Sequence, residues 1–124
     1  MDPLAALAAQ LEREGFSVEE RPDDLASFGD RLITLAAPDL RVVLTRDRGI
    51  WSLELGHPAW EEAYDPDLWR AALEGSDPNE PSEVEAQAAY VGDRLDALRA
   101  AAVDPSLRDR LSEMAIARAD LWFR

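Results

Sequence analysis

The chain has 124 residues, 26 of them acidic and 13 basic, and a formal net charge of −13 at pH 7. That length suits one domain, residues 1–124, with a core large enough to need no covalent staples. The absence of Cys excludes disulfides and thiolate metal sites, and the acidic balance argues against direct binding to a nucleic-acid backbone or an anionic membrane.

Every basic residue is Arg, since Lys is absent. A basic partner is the natural complement, because opposite charge speeds encounter, while the plainer reading of a net negative charge is solubility. Met1 runs into Asp2-Pro3 without a basic leader region, and no apolar run approaches the ~20 residues that a membrane span requires. A soluble, cytoplasmic protein is expected.

Asp2-Pro3 fits an N-cap followed by Pro at the first helical position, and Leu4, Leu7, Ala8 and Leu11 then form one apolar stripe that ends at Gly15. Phe16 and Val18 alternate with Ser17 and Glu19, which predicts a short strand over residues 16–20. The polar loop 21–30 carries Leu25 and Phe28, two apolar residues expected to tuck back onto the core. Arg31 to Ala37 reads as a second strand with Leu32, Ile33 and Leu35, broken by Pro38-Asp39 at a turn.

Residues 41–55, RVVLTRDRGIWSLEL, hold two alternating runs about a charged turn with Gly49. Trp51, Leu53 and Leu55 share one strand face, while Ser52 and Glu54 take the other. A three-residue loop would set Leu44 in the row of Ser52 and Glu54. A two- or four-residue loop sets Leu44 opposite Leu53 and Val42 opposite Leu55, and this is the expected register, with Gly49 supplying the positive φ. By the same reasoning Ile33 opposes Leu44 and Leu35 opposes Val42.

After the sheet come Gly56-His57-Pro58 and then Trp60-Glu61-Glu62-Ala63-Tyr64. Asp65-Pro66 starts a short helix with Leu68, Trp69, Ala72 and Leu73, and Gly75 stops it. Ser76 to Pro81 reads as an exposed linker. Ser82 and Glu85 form a capping-box pair opening the longest helix, along which Val84, Ala88, Val91, Leu95 and Leu98 line one seam. Asp104-Pro105 begins a last helix with Leu107, Leu111, Met114 and Ala115, running to Leu121-Trp122-Phe123. The predicted class is α+β: an antiparallel four-stranded meander with an N-terminal helix and three C-terminal helices packed on one face.

No catalytic apparatus stands out. A Ser-His-Asp site would rest on His57, the single histidine, which is better read as a loop residue satisfied by a local hydrogen bond. With no second His at helical spacing, no metal site is assigned, and no glycine loop cradles a phosphate, so no cofactor is expected. Glu61, Glu62, Asp65 and Asp67 are the one carboxylate cluster that admits a chemical reading, either acid–base or Ca²⁺, although Asp65 is already explained as a cap. Aromatic residues beside charge mark interaction hot spots. Trp51 and Trp69 are assigned to the core, and Trp60 and Tyr64 are expected to be exposed next to the acids.

The chain resembles the small cytoplasmic immunity proteins that accompany bacterial polymorphic toxins. The resemblance rests on Gly15-Phe16 after the first helix, on the strand-turn-strand 43–51, and on the Trp69 to Gly75 helix ending Leu73-Glu74-Gly75. It extends to the helix beginning Ser82-Glu83, and its sharpest motif is Asp47-Arg48-Gly49-x-Trp51, whereas His57-Pro58 has no counterpart. The resemblance implies a protein that binds a cognate toxin and blocks its active surface or substrate entry; a monomer or weak homodimer is expected. Many such toxins are nucleases with basic clefts, where carboxylates would stand in for phosphates. Trp60, Glu61, Glu62, Tyr64, Asp65 and Asp67 are the candidate contact residues. An acidic secretion chaperone or adaptor-type interaction domain is the alternative, and an enzyme pairing His57 with the carboxylates ranks last.

Overall fold

The computed structural model describes residues 3–22 and 31–123, apart from the side chains of residues 20–22. The N-cap expected at Asp2 and the docking expected of Leu25 and Phe28 lie outside them. Strands β1 (Ser17–Pro22), β2 (Arg31–Ala36), β3 (Arg41–Asp47) and β4 (Ile50–Gly56) form one antiparallel sheet in chain order. Helix α1 (Pro3–Arg13) precedes it, and α2 (Pro66–Glu74), α3 (Val84–Asp93), α4 (Leu95–Ala102) and α5 (Pro105–Trp122) follow. The class is α+β.

The meander takes the expected register. Asp47 pairs with Ile50, leaving a two-residue loop in which Arg48 and Gly49 have φ of 53° and 80°. Both central residues of a type I′ turn need positive φ, and this turn matches the right-handed twist of the strands it joins. Leu44 therefore faces Leu53, Val42 faces Leu55, Ile33 faces Leu44 and Leu35 faces Val42. At the other end the Ala37 N–H donates to the Leu40 carbonyl at 2.9 Å, closing the turn around Pro38-Asp39.

The apolar face so assembled is covered by helices. Leu35, Val42, Leu44, Leu53 and Leu55 are buried together with Leu4, Leu7 and Leu11 of α1, Leu68 and Trp69 of α2, Val91 of α3, Leu98 of α4 and Leu107 and Leu111 of α5. Polar ties fix the layers. The Trp69 indole N–H donates to the Leu55 carbonyl at 3.1 Å, and Arg99 Nε reaches both oxygens of Asp39 at 2.9 and 3.0 Å while its guanidinium lies 5.1 Å over the Phe16 ring.

Two expectations are corrected. The helix predicted to be the longest is broken at Arg94 (φ −114°, ψ 19°) into α3 and α4, and α5, with 18 residues, is longer than either. At the break the Gln10 side-chain amide donates to the Gly92 carbonyl at 3.0 Å, satisfying a carbonyl in the last turn of α3. The buried seam Ala88, Val91, Leu95, Leu98 nevertheless continues through it. The Ser82 capping box is not formed either: Glu83 is the N-cap and makes no side-chain cap bond, and the Ser82 N–H, the donor that Glu85 would have used in such a box, is taken by Asp67 Oδ2 at 2.9 Å.

Candidate partner-binding surface

The segment 57–67 leaves β4 and is held against it. Leu55 and Tyr64 exchange two backbone hydrogen bonds of 2.8 Å, and the Trp60 N–H donates to the His57 carbonyl at 2.9 Å. Gly56 makes this fit possible, since a Cβ there would lie 2.9 Å from the Glu62 carbonyl oxygen. His57 Nδ1 accepts from the Ala59 N–H at 3.0 Å, the local bond expected of a loop histidine.

The six predicted contact residues separate into distinct environments. Trp60, expected on the surface, is buried with 9 % exposure and belongs to the core. The cause is Trp69, on which it stacks, a partner that the local sequence does not reveal. Tyr64 is half-buried against the core, and Glu61 is exposed. Glu62 accepts from Arg108 Nε at 2.6 Å, which holds its carboxyl below its ordinary pKa. Asp65 caps α2 through the Leu68 N–H at 3.1 Å and is paired with Arg118. Asp67 is 8 % exposed and accepts from the Ser82 N–H and from Gln87 Nε2 at 3.0 Å. Three of the four carboxylates thus bind α5, the linker or α3 to the domain, so the cluster is not the open anionic patch expected. Among the described residues no group of three His, Asp or Glu side chains is placed to hold a metal ion.

The surface that Glu61 does join is the face of the sheet turned away from the helices. The pairing sets Glu19, Thr34, Val43 and Glu54 in one row across the four strands. Around that row lies a cleft of about 490 Å³ lined by Glu19, Leu32, Thr34, Arg41, Val43, Glu54, Glu61 and Ala63. Its floor is β-branched or apolar, and its rim carries three carboxylates. Burial holds the Glu54 carboxyl above its ordinary pKa, with the nearby charge of Asp65 adding to the effect and Arg41 opposing it.

Among the described residues Arg41 is the one cation in this lining. Its Nε is buried and finds no hydrogen-bond acceptor among the described residues, and its Nη2 donates to the Trp60 carbonyl over 3.4 Å. Glu19, Arg41 and Glu54 were missed in the sequence because up to 35 residues separate them. Pairing the strands in register would have aligned Glu19 with Glu54.

Among the described residues no helix is long and apolar enough to cross a membrane. Compared with known proteins, the chain matches no family model, no curated protein and no solved structure.

Proposed function

We propose that this chain is a binding protein of the immunity type, which neutralises a cognate bacterial toxin in the cytoplasm by docking on a basic part of it. The observation that carries this reading is the sheet face bearing Glu19, Glu54 and Glu61 around Leu32, Thr34 and Val43. Apolar contact at the centre of such a face supplies affinity, and its carboxylates, in a chain of net charge −13, steer a positively charged partner. A nuclease, whose substrate cleft is basic, fits that description. No residue is given a catalytic role.

The test is co-expression with the product of the adjacent reading frame. That product is expected to be toxic alone, tolerated when both are made, and recovered as a complex whose association slows with salt and with Glu54→Lys or Glu61→Lys. A harmless neighbour, or a toxic one that is neither tolerated nor captured, overturns the reading.

The second reading, an acidic secretion chaperone or adaptor, draws on the exposed apolar end of α5, where Ile116, Leu121, Trp122 and Phe123 stand in solvent. A chaperone would hold an incompletely folded client, so a complex whose partner remains protease-sensitive would favour it over the immunity reading.

A further inference from the structure

The cleft on the sheet face has a more specific occupant, and this inference rests on the face being the docking surface. We propose that the cleft receives a single arginine side chain projecting from an extended segment of the partner, and that Arg41 is an internal counter-ion which that arginine displaces.

The lining has the two parts that an arginine needs. Leu32, Thr34 and Val43 form a floor for an aliphatic stem, and Glu54 and Glu61 stand beside it as acceptors for a guanidinium, with Glu19 adding negative charge to the lining. Arginine is the better fit among cations, because its planar fork meets carboxylates in pairs and it is less tightly hydrated than an ammonium group. The three carboxylates come from different strands and a loop held by the Leu55–Tyr64 bridge, so the receptor exists before the partner arrives.

Arg41 shows what the cleft accepts and why it is exchangeable. Its positive charge acts on both Glu54 and Glu62. Its own bonding is poor, with one long contact to the Trp60 carbonyl and a buried Nε left without an acceptor among the described residues. A buried donor without an acceptor is costly, so the guanidinium is weakly retained where it lies. An incoming arginine that meets the carboxylates directly replaces this imperfect arrangement, and Arg41 moves out to water.

The experiment titrates the isotopically labelled full chain with a capped, otherwise uncharged peptide, Val-Arg-Val, followed by amide shifts. The control peptide has citrulline in place of arginine, keeping the shape without the charge. Shifts centred on Thr34, Val43 and Glu54 with the arginine peptide, and weaker or absent ones with citrulline, are expected. Arg41→Gln should tighten peptide binding roughly two- to fivefold and Glu54→Gln should loosen it by a similar factor, the scale of partly exposed charge pairs. Arg41→Met serves as a second variant, and a denaturation curve for each establishes that it is folded.

Equal binding of the citrulline peptide, or shifts confined to another surface, overturns the arginine receptor. Unchanged or weaker binding by both folded Arg41 variants overturns the counter-ion role. These outcomes are separate from the co-expression result: a chain that captures its toxin but ignores the peptide retains the immunity reading and loses this one.

Discussion

The indole of Trp60 lies on that of Trp69, with ring centroids 5.8 Å apart and planes inclined by 27°. Trp69 is fully buried, and its N–H is spent on the Leu55 carbonyl, so the stack ties the post-sheet loop to both β4 and α2. Trp60→Ala is therefore expected to cost roughly 3–5 kcal/mol of stability, the range for removing a large aromatic side chain from a core. Urea denaturation measures this. A variant of unchanged stability that binds its partner poorly would instead make Trp60 a contact residue.

Asp67 is a structural carboxylate. Its Oδ2 accepts from the Ser82 N–H and from Gln87 Nε2, joining α2 to the start of α3. Asp67→Ala leaves both donors without that acceptor and should lose roughly 1–3 kcal/mol. Asp67→Asn keeps one oxygen and should lose less. The ordering of the two denaturation midpoints checks the assignment, and equal midpoints would refute it.

Arg48 occupies the first central position of the β3–β4 turn with φ of 53°. A side chain in this region costs roughly 1–2 kcal/mol relative to the right-handed one, and Asn tolerates it far better. Arg48→Asn, giving Asn-Gly, should stabilise the chain by roughly 0.5–1 kcal/mol. Chemical denaturation reads the gain, and a loss would mean that contacts of the Arg48 side chain outweigh the backbone term.

Glu54 gives a pH dependence of defined sign. Burial and Asp65 raise its folded-state pKa above the ordinary 4.5, so the folded chain holds this proton more tightly than the unfolded one. The contribution to stability is full below the unfolded value and falls as pH rises through the window up to the folded value, above which the penalty is constant. Glu54→Gln removes the penalty. The variant should match the parent at the acid end and exceed it at neutral pH in urea denaturation. A stability difference independent of pH would exclude this origin.

The strand half of the fold was legible in the sequence. Alternation sets Ile33 with Leu35, and Trp51 with Leu53 and Leu55, on one face while Leu32 and Ile50 fall on the other, and a slip of one residue would turn the core set outward, so few registers survive. Caps at Asp65 and Asp104 were equally readable, because each bonds within three residues of itself. What escaped was decided at a distance. Gln10 bonds a carbonyl at the helix break 82 residues away, Asp67 takes the donor that a capping box at Ser82 would use, and Arg108 and Arg118 engage acids that look unpaired in sequence. The candidate cleft followed the same rule, being assembled from residues 19, 41, 54 and 61.

Gly56 has a last consequence. Because it lacks a Cβ, the Glu62 and Ala63 backbone lies directly on the end of β4, and the strip carrying Glu61 is tied there by the Leu55–Tyr64 bridge. A partner docking on that face would meet a strip already in place and spend less free energy on ordering it, which favours slow release. Any bulkier residue at 56 would lift the strip and loosen it, shortening residence while leaving the charges on the face untouched.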